Sequence, residues 1–322
     1  MKAISQDVYG SADVLTLRNV DTPVPGADEV LIRVRAAGVE QGVWHLMTGM
    51  PYLTRAFFGF KAPKNPVRGR EVAGRVEAVG QNVVGFRPGD EVYGTAEGTF
   101  AEFVCAKEGK LALKPVKASF EQAAAVPISA TTALQGLRDA GQLQPGQDVL
   151  IIGAGGGVGS FAVQIAKALG AQVTGVCSTA KLDLVRSIGA DHVIDYKHDD
   201  FADGARQFDL ILDTAGNRPL SVLRRALKPA GTLVIVGGEG GGRWTGGLER
   251  SLRASLLSPF LGQKLKGLMA AERQEDLRYL AELIDAGAVS PVIDRTYPLG
   301  DTPEAIRYMH DGHARGKVVI TM

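Results

Sequence analysis

Residues 153–159, GAGGGVG, have the composition of a loop that holds a phosphate-containing ligand. The apolar run VLII before them predicts a strand, and VGSFAVQIAKAL, which overlaps their end, predicts a helix. Small residues at such a junction let the backbone approach a pyrophosphate, which the helix N-terminus then stabilises. A tight turn without a ligand is the alternative, but it would not require so many glycines. The sequence therefore predicts a dinucleotide site at Ala154, Gly155, Gly156, Gly157, Val158 and Gly159.

The residues after the next strand indicate which dinucleotide binds. An NAD site usually carries an acid there, on the ribose hydroxyls, but this chain has Cys177. Ser178, Thr179 and Lys181 follow, and hydroxyls beside a cation suit a 2′-phosphate through charge-assisted hydrogen bonds. We therefore expect NADPH. The alternative is that Lys181 is simply an exposed residue that opens a helix.

The elements that must position this loop form an alternating pattern. From residue 146 to about 270, apolar strand-like runs alternate with helical segments, which predicts a parallel sheet covered on both faces. Within this part, RPLSVLRRALKPAG at 218–231 predicts a helix. QKLKGLMA at 263–270 predicts an edge strand.

The rest of the chain is different in character. Short strands with turn signals between them fill the first third, which predicts a partly open barrel, and the last fifty residues return to strand, helix, strand. We therefore expect one domain at 1–122 and 271–322, split by a second at 123–270, with the ligand in the cleft between them. Residues 44–66 are expected to form a long loop rich in Phe, Tyr and Met. It would line an apolar substrate pocket, or else form a flap or a dimer contact.

Composition excludes several classes of function. A net charge of +1 argues against nucleic acid or an anionic membrane as partner. No apolar stretch approaches a membrane span, and the first residues lack the apolar core of a signal peptide. Two cysteines are too few for a disulfide framework. We therefore expect a cytoplasmic protein in a reducing compartment.

Two motifs resemble a known family. GQDVLIIGAGGGVGSFAVQIAK at 146–167 resembles the zinc-free quinone oxidoreductases related to zeta-crystallin, within the medium-chain dehydrogenase/reductase superfamily. GREVAGRVEAVGQNV at 69–83 is similar to the zinc alcohol dehydrogenase pattern of that superfamily, except that Arg70 replaces a His. The resemblance implies an α/β protein with a GroES-like, partly open β-barrel catalytic domain and a doubly wound Rossmann domain that binds NADP(H). It also implies a homodimer.

The resemblance bears on zinc as well. Glu40 stands where zinc members have a Cys, and the four-Cys structural lobe has no counterpart. Glu71 and Glu40 alone make a poor zinc site, and the Arg70 guanidinium would oppose a dication. We expect no metal.

Further contacts follow from the resemblance alone. Those expected at the cofactor are Thr132, Tyr196, Ala215, Gly216, Val236, Gly237, Gly238, Gly316 and Lys317. Tyr52 resembles a pocket Tyr of the quinone oxidoreductases, and His45 lies near the position of the proton-relay His of the zinc enzymes. Both are candidate catalytic donors, and a packing role is the alternative for each.

These observations predict a zinc-independent, NADPH-dependent reductase of quinones or α,β-unsaturated carbonyl compounds. Two alternatives stay open. One is a metal-free alcohol or ketone dehydrogenase. The other is a crystallin-like NADPH-binding protein with little turnover.

Overall fold

The computed structural model describes residues 1–216, 218–237 and 242–322. These residues form two compact units. Unit 1 consists of Met1–Thr131 and Glu272–Met322, and unit 2 consists of Thr132–Ala271. In sequence, unit 2 is therefore inserted between the two segments of unit 1.

Strands and helices occur in both units. In chain order, the strands of the described residues are β1 Lys2–Ser5, β2 Thr16–Asn19, β3 Glu29–Val39, β4 Glu71–Val79, β5 Glu91–Thr95, β6 Phe103–Lys107, β7 Leu111–Leu113, β8 Asp148–Ile152, β9 Gln172–Cys177, β10 His192–Asp195, β11 Phe208–Asp213, β12 Leu227–Val236, β13 Lys264–Leu268, β14 Ile293–Pro298 and β15 Lys317–Thr321. The α-helices are α1 Gln41–Thr48, α2 Arg55–Phe58, α3 Phe120–Ala124, α4 Ser129–Leu134, α5 Gly157–Ala168, α6 Leu182–Ser187, α7 Leu220–Arg225, α8 Leu248–Leu257, α9 Gln274–Asp285 and α10 Thr302–His310. None of the helices in the described residues has both the length and the apolar character needed to span a membrane.

The main sheet of unit 1 has the order β14–β15–β3–β4–β5–β7, and β6 also pairs with β3. Its neighbours are antiparallel except for β14 and β15. Strand β3 pairs with three other strands. Its first residues pair with β6 and β4, and its last residues pair with β15. The interior is filled by side chains that include Ile32, Val72, Val92, Phe100 and Ile320. This is the expected partly open barrel.

The sheet of unit 2 is entirely parallel, with the order β10–β9–β8–β11–β12–β13. The expected doubly wound α/β fold is therefore confirmed, and β13 is the predicted edge strand. The strand order reverses between β8 and β11. In open α/β sheets, ligands bind at the carboxyl ends of the strands at such a point.

Two segments differ from their predicted structure. Within 218–231, predicted as one helix, α7 ends at Arg225 and β12 begins at Leu227. Pro229 and Gly231 disfavour a continuing helix, and pairing with β11 stabilises the strand instead.

The segment 44–66, predicted as a loop, holds most of α1, a short 3₁₀ turn and α2. The capping signals of α1 explain this difference. The Glu40 carboxylate accepts a hydrogen bond from the Gly42 N–H at the start of α1, and Gly49 ends the helix in a left-handed conformation.

Candidate active site

The glycine loop joins β8 to α5 at the carboxyl edge of the unit 2 sheet. The N–H groups of Gly153 and Ala154 both donate to the Val176 carbonyl at 3.0 Å, which ties the loop to β9. Helix α5 begins at Gly157, and a Cβ atom on Gly159 would clash with the Gly153 carbonyl oxygen. Only glycine therefore lets the helix pack this closely. The first N–H groups of an α-helix have no partner within the helix, and binding of a pyrophosphate by those of α5 stays a prediction.

Lys181 lies across the glycine loop. Its Cδ atom is 2.8 Å from the position that a Cβ atom on Gly155 would occupy. Ser178 precedes the short 3₁₀ helix Thr179–Lys181, and its hydroxyl makes no capping hydrogen bond to that helix. The structure thus brings Lys181 to the glycine loop, and these residues fit a phosphate-bearing dinucleotide.

Thr179 has a role that the sequence did not indicate. Its hydroxyl donates to Asp195 Oδ2 at 2.5 Å, and Asp195 Oδ1 accepts the Lys197 N–H at 3.0 Å. Asp195 ends β10 as the register partner of Cys177. The hydrogen bond from Thr179, more than any other contact, holds the pKa of Asp195 below its usual range. The Thr179 hydroxyl therefore donates its hydrogen to a buried carboxylate. Toward any further group it can act only as a hydrogen-bond acceptor through its oxygen. Tyr196, the next residue, is about half exposed.

The turn after β11 is built around the buried Asp213. Its Oδ1 atom accepts the N–H groups of Ala215 and Gly216 at 3.2 and 3.1 Å. Its Oδ2 atom lies 2.5 Å from Arg250 Nη2. The Thr214 hydroxyl donates at 2.7 Å to the last carbonyl of β8. These contacts hold Ala215 and Gly216 at the point where the strand order reverses.

The other predicted contacts of unit 2 occupy the ends of two elements. Val236 ends β12 and is buried, and Gly237 follows it and is exposed. Gly238 lies outside the described residues. Thr132 is half-buried in α4. Whether each of these residues contacts a cofactor stays a prediction.

Lys317 and Glu71 form a buried ion pair in unit 1. Lys317 Nζ lies 2.5 Å from Glu71 Oε2 and 3.0 Å from the Ser129 hydroxyl, and the two charged residues are 2% and 0% exposed. Glu71 Oε1 also accepts the Ile128 N–H at 2.8 Å. Burial raises the pKa of Glu71, and the charge of Lys317 acts against this rise. The Lys317 ammonium is therefore paired with a carboxylate of unit 1. A cofactor contact at Gly316 or Lys317 stays a prediction.

A cavity of about 630 Å³ lies wholly within unit 1. Leu46, Phe57 and Phe58 give it an apolar wall, and charged residues line much of the remainder. The volume of this cavity and its mixture of apolar and charged lining residues are typical of a binding site for a small organic ligand.

The Glu272 carboxylate accepts hydrogen bonds from three side chains at the wall of this cavity. Its Oε1 atom accepts from Arg70 Nη2 at 2.6 Å, and its Oε2 atom accepts from the Thr95 hydroxyl at 2.9 Å and from Lys110 Nζ at 2.6 Å. Burial would raise the pKa of Glu272, but the hydrogen bond from Lys110 and the charges of Arg70 and Lys110 hold it below its usual range. The cluster fixes the Arg70 guanidinium at the cavity wall.

The two predicted catalytic donors occupy α1 and the turn that follows it. His45 Nδ1 lies 3.0 Å from the Met50 carbonyl oxygen. The Arg55 guanidinium lies 4.8 Å from the centre of the Tyr52 ring. Neither His45 nor Tyr52 is among the described residues that line the cavity.

Known proteins share both units of this chain. Residues 26–116 match the alcohol dehydrogenase GroES-like domain, and residues 188–320 match the zinc-binding dehydrogenase family. The chain is 34% identical to a 2-methylene-furan-3-one reductase of Solanum lycopersicum, over 99% of this chain and 79% of that protein. It is 33% identical to the chloroplastic quinone oxidoreductase QR1 of Triphysaria versicolor, over 99% of this chain and 98% of that one. The structure of a quinone oxidoreductase from Coxiella burnetii has a TM-score of 0.85 at 29% identity, covering 100% of this chain and 99% of the other.

The chain belongs to the quinone oxidoreductase family of the medium-chain dehydrogenase/reductase superfamily. The resemblance that the two motifs carry is confirmed. This quinone oxidoreductase family member is therefore an oxidoreductase that uses a nicotinamide dinucleotide and acts on a small molecule.

The residues of this quinone oxidoreductase family member do not fit zinc, although one matched family is named for that metal. Arg70, which the resemblance sets at the position of a His in zinc members, is paired with Glu272. Glu40 caps α1, and Glu71 is occupied by Lys317. Among the described residues, no three His, Cys, Asp or Glu side chains are grouped as metal ligands.

Two residues of this family member were missed by the sequence analysis. Glu272 follows the edge strand outside any motif, and only folding brings it to Arg70. Asp195 ends a predicted strand, and an acid at a strand end in this fold was a signal that could have singled it out.

Proposed function

We propose that this protein is a zinc-independent, NADPH-dependent reductase of quinones or α,β-unsaturated carbonyl compounds. The observation that carries the proposal is the contact of Lys181 with Gly155, in a chain where Cys177 replaces the ribose-binding acid. A cation beside the loop favours the additional phosphate of NADPH over NADH.

The bound dinucleotide supplies the hydride, and the protein supplies position and charge. The α5 N-terminus and the glycine loop would hold its pyrophosphate, and Ser178 with Lys181 would hold its 2′-phosphate. The Asp195 carboxylate accepts a hydrogen bond from the Thr179 hydroxyl, which fixes the end of β10 beside them.

Conjugated acceptors suit a site that does not fit zinc. In a quinone or an enone, charge develops on an oxygen remote from the carbon that accepts hydride, and a hydrogen-bond donor is enough to stabilise it. The relatives named above are a reductase of an exocyclic enone and a quinone oxidoreductase, which supports this class of acceptor.

His45 and Tyr52 remain the proposed donors. A carbonyl can only accept, so the bond between His45 Nδ1 and the Met50 oxygen places the proton on Nδ1. The Nε2 atom of the neutral ring is then an acceptor. His45 would therefore deliver a proton to product only as the imidazolium.

The test is NADPH oxidation, followed by absorbance with a chelator present. The acceptors are small quinones, 2-alkenones, 2-alkenals and simple ketones, with NADH as the comparison cofactor. Turnover of conjugated acceptors with preference for NADPH supports the proposal. Loss of activity in chelator would contradict zinc independence. Turnover of simple ketones would favour the metal-free alcohol or ketone dehydrogenase, and NADPH binding without turnover would favour the crystallin-like binding protein.

We also propose a cytoplasmic homodimer. The strand β13 is an edge of the unit 2 sheet, and α8, which packs on it, exposes Leu252 and Leu256. Cys105 and Cys177 are free thiols, which is compatible with a reducing compartment. Light scattering after size exclusion tests the dimer, and fractionation of the source cells tests the location.

A further inference from the structure

The cavity of unit 1 carries more positive than negative charge. Five cations and three carboxylates line it. Arg70 and Lys110 share Glu272, each at 2.6 Å. The three remaining cations, Arg68 among them, outnumber the two remaining carboxylates. An anionic ligand would correct this imbalance.

Arg68 is the cation whose position makes the imbalance costly. The residue is only 6% exposed, yet it lines the cavity. Its Nε atom is buried without a hydrogen-bond partner among the described residues, and its Nη1 donates to the Leu46 carbonyl at a long 3.5 Å. Burial lowers the pKa of the Arg68 guanidinium, and the nearby Tyr9 and Glu97 only partly oppose this. A guanidinium stays charged even so, and a buried charge without a close counter-ion destabilises a protein.

The cavity also has an apolar wall. Phe57 and Phe58 line it, and both rings are exposed in this structure, as is Glu97. A ligand that covers the rings and reaches Arg68 would bury apolar area and pair the guanidinium at the same time. Such a ligand has an apolar body and an anionic group.

We propose that this cavity binds an anionic group of the acceptor, a carboxylate or a phosphate, with Arg68 as its charged partner. The apolar body of the acceptor lies against Phe57 and Phe58. The acceptor class is thereby narrowed to conjugated carbonyl compounds that carry an acidic group. This inference rests on the proposed function in so far as the ligand is the acceptor.

The kinetic test compares three acceptors with the same enone: 4-oxopent-2-enoate, its methyl ester, and an analogue in which a phosphate monoester replaces the carboxylate. We expect kcat/KM of the wild-type protein to be about tenfold or more higher for an anionic acceptor than for the ester. The preferred anion distinguishes carboxylate from phosphate. Arg68→Met is expected to remove this preference by raising KM for the anionic acceptors, so that their kcat/KM falls to about that of the ester.

Two further variants interpret this result. Arg68→Lys keeps the positive charge but loses the planar guanidinium and its paired N–H donors, so we expect an intermediate preference for anionic acceptors. If Arg68→Met does not fold, the preference of Arg68→Lys is the test of the proposal. Arg75→Met is the matched control, since Arg75 is in an exposed ion pair with Glu91 and does not line the cavity. It should keep the wild-type preference. Equal preference in wild-type protein and the Arg68 variants would overturn the proposal.

A binding measurement separates this proposal from the proposed function. The saturated compound 4-oxopentanoate is titrated calorimetrically into wild-type protein and Arg68→Met without cofactor. If binding heat is observed with the wild-type protein and not with Arg68→Met, the anion site is supported. This holds even if no acceptor is turned over, because absence of turnover would count against the reductase only. Turnover of neutral enones, with no effect of Arg68 on binding or KM, would count against the anion site only.

Discussion

Lys317 Nζ lies 2.5 Å from Glu71 Oε2, and both side chains are almost completely removed from solvent. The other oxygen of the same carboxylate accepts the N–H of Ile128, just before α4, the helix that carries Thr132. One ion pair therefore connects β4, β15 and the start of α4, which are far apart in sequence.

Breaking this pair from either side should be strongly destabilising. Lys317→Met and Glu71→Gln each leave one charged group buried without its partner, at a cost of about 3–5 kcal/mol in the free energy of unfolding. The double variant should lose clearly less than the sum of the two, because no charge is left unpaired. Urea titrations of the four proteins measure this coupling.

The matched control is the exposed pair Arg75–Glu91. Its Arg75→Met variant should cost about 0–1 kcal/mol, since solvent screens the charges. Additive losses for Lys317→Met and Glu71→Gln would show that the buried pair contributes no specific interaction.

Gly156→Ala should separate cofactor binding from folding. A Cβ atom at Gly156 would come no closer than 3.4 Å to the Gly153 carbonyl oxygen, so the fold can accept it, with a change in stability within about 1 kcal/mol. The same atom would intrude where the backbone must approach the pyrophosphate, and we expect the NADPH affinity to fall by about tenfold or more. Fluorescence titration with NADPH measures the affinity, and thermal unfolding measures the stability.

Gly109→Ala serves as the control, because a Cβ atom there would meet nothing within 4 Å. Unchanged NADPH affinity in Gly156→Ala would argue that the dinucleotide does not use this loop.

Lys181→Met should weaken the preference for NADPH over NADH. In our proposal the ammonium contacts the 2′-phosphate, which NADH lacks, and a charge-assisted hydrogen bond of this kind contributes about 1.5–3 kcal/mol. We expect the NADPH affinity to fall by roughly tenfold or more while the NADH affinity changes little. An equal loss of affinity for NADPH and NADH would mean that Lys181 supports the glycine loop and does not bind the 2′-phosphate. Lys197→Met is the control on the neighbouring strand end.

Glu272→Gln should change how stability depends on pH. Although burial opposes it, the donors around Glu272 lower its pKa below the ordinary value of 4.5. The stabilisation is therefore present above about pH 4.5 and is lost as the pH falls through the lowered pKa of the folded state. We expect Glu272→Gln to be less stable than wild type by about 1–2 kcal/mol at neutral pH.

That difference should shrink as the pH falls through the lowered pKa of Glu272, because below that pKa the wild-type carboxylate is itself protonated. Denaturant titrations across this range check it. A difference that stays constant with pH would show that the loss comes from packing and not from the carboxylate charge.

Local signals predicted much of the fold. Strands β3, β8 and β11 are apolar runs with clear ends, and GAGGGVG lies between a strand and a helix as its motif requires. Where local signals were weak or misread, the prediction was wrong. Within 44–66, predicted as a loop, residues 44–48 are helical because Glu40 and Gly49 cap α1. Only the first residues of β12, 227–231, lie where a helix was expected, because they begin a strand that pairs with β11.

The sequence by itself determined the two kinds of unit, the glycine loop between a strand and a helix, and the presence of an arginine at residue 70, because each depends on residue types within a short segment. Tertiary structure alone decided the partners of the charged groups. Lys317 meets Glu71, Thr179 meets Asp195, and Glu272 meets Arg70. The physical reason is that burial makes an unpaired charge or donor costly, so the fold must supply partners from distant segments, and no local pattern encodes which segments meet.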